Sequence, residues 1–127
     1  MGLSNEGATY EVLLVVNAAA NTAAATSAAA IDITPYEGFL EVTQTVGVVT
    51  AGTIDGALQE CDDAGMANPV ALSGQTFPQV TTANDPLTQT ILVPLGRITK
   101  PFLRYVGTIA TGPAVVGVTF RGKKKYI

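Results

Sequence analysis

Turn signals punctuate this chain roughly every eight to twelve residues, and that rhythm leaves little room for anything but short strands. Pro35, the run Gly47 to Gly52, Asp62-Asp63-Ala64-Gly65, Gly74, Asn84-Asp85-Pro86, Gly96 to Pro101 and Thr111-Gly112-Pro113 each interrupt an apolar or alternating segment. The clearest alternation runs from Gly38 to Val46. Phe39, Glu41, Thr43 and Thr45 share one side, and Leu40, Val42, Gln44 and Val46 share the other. The period is two, so the second set is the expected core face of a half-buried strand. Further strands are expected over Thr53 to Cys61, Val70 to Leu72, Thr76 to Val80, Thr88 to Leu95, Phe102 to Ala110 and Ala114 to Arg121. Gly56 falls inside one of them, where a bulge or a close approach is expected. The apolar run Ile91 to Leu95 and the strand opening at Phe102-Leu103-Arg104-Tyr105-Val106 are expected to pair antiparallel across the basic connector between them.

The beginning of the chain is less sharply patterned. Tyr10 to Val16 fits either a strand or an extended arm laid on a neighbour. Ala18 to Ala30 is Ala-rich but interspersed with Asn21, Thr22, Thr26 and Ser27, whose side chains compete for the helix backbone. It is expected to be a loop leading into a strand around Thr26 to Ile33, with a short helix as the alternative. The fold expected is all-β: an antiparallel β-sandwich or jelly roll of about eight strands, with residues 1–17 as an N-terminal arm and residues 18–127 as a single domain.

Composition sharpens this. Of 127 residues, 47% are hydrophobic, yet there are only four Phe, four Tyr and no Trp, so the core must be mainly aliphatic. Charged residues are 13%, about half the usual share, which suits a surface partly covered by another protein. All ten acids precede Arg97 and all seven bases lie from Arg97 onward, giving −10 and +7, a net charge of −3. Either an acidic and a basic face meet between subunits, or strands from the two halves interleave and the charges mix.

The residue inventory removes most chemistry. Without His there is no Ser-His-Asp triad, no Cys-His pair and no Cys/His zinc site. Gly and Lys never fall at phosphate-loop spacing. The single cysteine, Cys61, has no disulfide partner and, set among acids, reads as a small strand residue rather than a nucleophile. Glu60, Asp62 and Asp63 do not follow calcium-loop spacing and read as an acidic turn. No basic patch with aromatic support suggests nucleic acid, and Val12 to Val16 is far too short to span a membrane. The acidic start, with Glu6 and Glu11 and no base, does not suit a signal peptide. No enzyme activity and no cofactor are expected.

Four features occur in one order over nearly the whole chain: an Ala/Thr-rich segment ending Ile31-Asp32-Ile33, then Leu58-Gln59-Glu60-Cys61-Asp62-Asp63, then Val93-Pro94-Leu95-Gly96, then Phe102-Leu103-Arg104-Tyr105-Val106. In this the chain resembles the small capsid cement, or decoration, proteins of tailed bacteriophages, especially the jelly-roll type of short-tailed phages. The acidic arm before Tyr10 and the Lys-Lys-Lys-Tyr-Ile end depart from that pattern. The resemblance implies a non-enzymatic virion protein, made in the host cytoplasm. It implies a homodimer or homotrimer on the outer capsid surface that bridges major capsid protein subunits, with no nucleic-acid or membrane partner. For the contact residues the expectation falls on the arm and the basic end: Tyr10, Val12, Leu14, Arg97, Lys100, Lys123, Lys124, Lys125 and Tyr126. The alternatives are a carbohydrate-binding sandwich, with Tyr10, Tyr36, Tyr105 and Tyr126 to offer for stacking, or a tail or neck structural component.

Overall fold

The computed structural model describes residues 10–21, 24–26 and 30–125, with side chains from residue 30 to 125. The strands are β1 (Tyr10–Asn21), β2 (Ala24–Thr26), β3 (Ile31–Asp32), β4 (Tyr36–Val49), β5 (Gly52–Cys61), β6 (Val70–Thr76), β7 (Val80–Thr81), β8 (Leu87–Pro94), β9 (Phe102–Thr111) and β10 (Ala114–Lys124). A single turn of 3-10 helix, Leu95–Arg97, follows β8. One sheet has the order β1-β10-β4-β8 and the other β2-β9-β5-β6. The short strand β3 pairs with β9, as β2 does, and β7 pairs with β5, as β6 does. The ten segments therefore fill eight strand positions in two antiparallel sheets. That order, in which the chain crosses between the sheets at every connection between strand positions except that from β5 to β6, is the double Greek key of a jelly roll.

The core lies between the sheets. Leu40, Val42 and Val46 from β4 and Val116, Val118 and Phe120 from β10 meet Ile54 and Leu58 from β5 and Leu103, Tyr105 and Ile109 from β9, all buried. The expected core face of β4 is thus the observed one, Gln44 included.

Gln44 needs partners because an unpaired amide in this environment would cost about 1–3 kcal/mol. Its Oε1 accepts from the Tyr105 hydroxyl, and its Nε2 donates to Gln89 Oε1 at 3.1 Å. Space for this pair comes from two glycines facing each other across β5 and β9, Gly56 and Gly107. A Cβ at Gly56 would stand 2.1 Å from Gln44 Oε1, and one at Gly107 would stand 2.6 Å from the Tyr105 hydroxyl. The close approach expected at Gly56 is real, and what approaches is a polar pair of side chains.

Burial pushes the Tyr105 phenol above its ordinary value, so the folded protein holds the proton that the unfolded chain releases near pH 10. A folded value above the unfolded one means stability intact below that pH and lost as pH rises beyond it. Denaturant titrations should therefore show stability falling above about pH 10. In Tyr105→Phe the fall should be shallower, from a lower plateau because Gln44 Oε1 loses its donor. A wild-type slope in the variant would contradict the assignment.

Several expected features are corrected. The strands on either side of the basic connector do not pair. β8 joins β4 in one sheet and β9 joins β5 in the other, so residues 95–101 carry the chain across the sandwich. Glu60, buried at the end of β5, holds this crossing: its Oε1 accepts from the amides of Thr99 at 2.9 Å and Lys100 at 3.0 Å. The Ala-rich segment is not a loop where it is described. Ala18 to Asn21 extends β1, and Ala24–Thr26 is a strand on β9; small side chains are compatible with an edge strand whose backbone is satisfied by pairing. The rest of the strand expected from Thr26 to Ile33 reduces to β3, with residues 27–29 outside the described residues. Gly74, at φ +77°, lies within β6 rather than dividing two strands.

Tyr10 to Asn17 pairs within the chain, along β10 from Tyr10↔Lys123 onward. Deleting residues 1–17 would therefore take most of an edge strand with it. At the other end, β10 continues through Lys124, so two of the three terminal lysines belong to the sheet rather than to a tail.

Candidate docking face

The two halves of the chain interleave. β4, from the acidic half, lies between β8 and β10, and β10 carries three of the seven basic residues. Arg121 on β10 meets Glu41 on β4 at 3.2 Å, and Lys123 meets Glu37 at 3.9 Å. At the crossing, Lys100 donates to Asp62 at 3.0 Å, and that carboxylate raises the Lys100 ammonium above its ordinary value. These pairs are exposed, and such pairs contribute little to stability. Their consequence is that the charge separation along the sequence becomes a mixed surface.

The pairs on β4 and β10 border a shallow depression of about 350 Å³ on the outer side of the β1-β10-β4-β8 sheet, lined by Glu37, Phe39, Glu41, Leu92, Arg121 and Lys123. Phe39 is 59% exposed and Leu92 58%, unusual for large apolar side chains on a small domain. They stand close because Glu41 is the register partner of Leu92, and Phe39 that of Pro94. Beyond them the same side of the sheet is threonine: Thr43 and Thr90 share a hydrogen bond of 2.9 Å, with Thr45 and Thr88 exposed as the next register pair. The depression thus sets Phe39 and Leu92 among charges that already pair with each other, and Val48 is a further exposed apolar side chain near the end of β4.

Of the residues expected at a contact, four fall into line on this sheet. The pairing sets Tyr10 opposite Lys123, Val12 opposite Arg121 and Leu14 opposite Thr119, in rows that continue to Glu37, Glu41 and Thr43. The others do not join them. Lys100 and Lys125 line a second depression of about 340 Å³ beside Ile33, Ile98 and Pro101 at the crossing. Arg97 lines a third of the same size beside Glu60 and Leu72. Lys124 is half-buried opposite Tyr36, and Tyr126 lies outside the described residues. Phe39 and Leu92 were not among the expected contacts. An aromatic on the polar side of an alternating strand was the available signal for Phe39; nothing in the sequence singled out Leu92.

Among the described residues no group of His, Cys, Asp and Glu could hold a metal ion, and no helix is long and apolar enough to cross a membrane. Tyr36 and Tyr105 are buried, which withdraws both from any sugar-stacking surface.

No family model matches this chain, and no curated protein matches it. Among solved structures it is similar to the structure of infectious bursal disease virus, Gx strain, with a TM-score of 0.45 at 13% identity over 96% of this chain. A crystal structure of the VP2 subviral particle of the same virus gives 0.44 at 12% identity, again over 96% of this chain. The chain spans only 37% and 38% of the length of those chains. The assignment to an eight-position, two-sheet jelly roll rests on the strand order itself and not on this likeness.

Proposed function

We propose that this chain is a capsid cement protein: a non-enzymatic structural protein of a phage head that binds the outer capsid surface as a homo-oligomer and bridges major capsid protein subunits. The observation that carries the reading is the outer face of the β1-β10-β4-β8 sheet. It is broad and poor in unpaired charge, and it exposes Phe39 and Leu92 together. A permanent protein contact favours such a surface, with an apolar centre and a polar rim. Its depression is open and shallow, and the four charged side chains that line it are paired with one another, which does not suit a small-molecule site. The resemblance of the ordered sequence features to phage cement proteins points the same way. The contact set proposed is accordingly Tyr10, Val12, Leu14 and Lys123 with Phe39 and Leu92 added; Arg97, Lys100, Lys124, Lys125 and Tyr126 remain proposals for a second contact at the other places where they stand.

Phe39→Asp tests the face without touching the core. A carboxylate set into a dehydrated contact should weaken attachment to undecorated heads ~100-fold, the ~3 kcal/mol scale of a central interface residue, while the circular dichroism spectrum and melting temperature stay close to wild type. A folded Phe39→Asp protein that decorates heads as tightly as wild type would show that the contact lies elsewhere.

A further inference from the structure

Four strand positions end the two sheets, and three of them are protected against pairing with another chain. β1 carries two register shifts along β10, between Leu14 and Val16 and between Val16 and Ala19. The opposite sheet ends in β2 and β3, of three and two residues, on one side. On its other side is β6, with a register shift against β5 and Gly74 at φ +77°. Shortness, bulges and irregularity are the usual devices that keep edges from associating.

β8 has none of these. Its eight residues pair with β4 without interruption from Leu87↔Val46 to Pro94↔Phe39, and no residue between Leu87 and Gly96 is charged. Among the described residues no strand lies on its far side. Its inward-facing Leu87 and Ile91 are only half-buried, whereas Leu40, Val42 and Val46 on neighbouring β4 are fully buried, so the sandwich is open and apolar along this edge. Regular, uncharged, backed by half-buried apolar side chains and interrupted only by Pro94 at its last residue, β8 is the edge best suited to receive another strand.

The ends of β8 favour a particular strand. Asp85 precedes it and Arg97 follows it, at equal sequence distance from Ile91. Arg97 is exposed and makes none of the ion pairs found among the described residues. An antiparallel copy of β8, related by a two-fold axis near Ile91, would bring each Arg97 toward the Asp85 end of the other chain. It would also cover Leu87 and Ile91 of both. We infer that two copies of this chain associate edge to edge through antiparallel β8 strands, fusing their β1-β10-β4-β8 sheets into one continuous eight-stranded sheet. This deepens the oligomeric part of the function proposed above. It also puts the Phe39 and Leu92 patches of the two copies on one side of that sheet.

Analytical ultracentrifugation of the full chain, in the absence of heads, tests it. The wild type should sediment at twice the 13.0 kDa chain mass. In Thr90→Lys/Leu92→Lys the added lysines would face each other across the axis, and association should weaken ~10-fold or more. Thr45→Lys, which puts the same charge one strand inward, should leave the dimer intact. Amide exchange of the wild type supplies a check without any variant: residues 87–93 should exchange faster on dilution, while β5 and β9 should not change. A monomer at all concentrations, a trimer, a dimer indifferent to the paired lysines, or exchange at 87–93 independent of concentration would each overturn the inference. Head binding by wild type is scored separately, so a protein that decorates heads without β8 pairing sinks this inference alone.

Discussion

Phe120→Asp is expected to leave the chain unfolded. Phe120 is fully buried on β10, between Leu13 of β1 and Val42 of β4 in register. Removing a buried Phe side chain alone costs about 3–5 kcal/mol. Leaving a carboxylate there with no cation to meet it adds several more by desolvation, unless it takes up a proton at further cost. The sum approaches the whole stability of a typical domain, about 5–15 kcal/mol. Leu103→Asp, on β9 at an equally buried position, should behave alike. The measurement is the circular dichroism spectrum and the thermal transition. A cooperative transition near that of wild type in either variant would mean that the two inner faces are wrongly placed.

Gly52→Ala should be the most damaging single-methyl change in the chain. Gly52 begins β5, directly after the corner where the chain leaves β4 for the other sheet. The corner at residues 50–52 is tied to a second corner at 111–113, where β9 passes to β10: Thr50 N–H donates to Pro113 O and Gly112 N–H to Ala51 O, both at 2.9 Å. Gly52 holds φ +78°, and a Cβ there would lie 1.8 Å from the carbonyl oxygen of Ala110. The obstacle is backbone in a paired strand and cannot rotate aside. Left-handed backbone costs an L-residue about 1–2 kcal/mol and overpacking typically another 1–3. For a domain of this size that should lower the melting temperature by roughly 10 °C or more. Gly38→Ala is the matched control, because Gly38 has nearly the same φ, +79°, with nothing within 4 Å of its added methyl. It should show the conformational cost alone. Equal losses in the two variants would contradict the role given to the paired corners.

What the sequence made legible, and what it did not, follows from what each pattern encodes. Alternation tells which side of a strand is apolar, and at β4 it identified the core face residue by residue. Turn chemistry located the breaks at Asp62 to Gly65, Asn84 to Pro86 and Thr111 to Pro113. Neither says which strand lies beside which. β8 and β9 were expected to pair because a short connector joins them, yet that connector crosses the sandwich. The contacts that fix its path, from Glu60 to the amides of Thr99 and Lys100, span about forty residues of sequence. The Ala-rich segment had no alternation and only Thr22 and Thr26 as β-branched residues to mark it, and its strand character comes from pairing with β10 and β9. At the candidate face the N-terminal segment and the basic end were legible as candidates. Their meeting, and the exposure of Phe39 beside Leu92, depend on β4 lying between β8 and β10.

Co-sedimentation of the purified protein with undecorated, expanded heads of the parent phage tests the central claim most directly. The account predicts saturable binding at a fixed ratio to the major capsid protein, in an even number of copies per site if β8 pairing holds. No binding at high protein concentration would contradict the cement function.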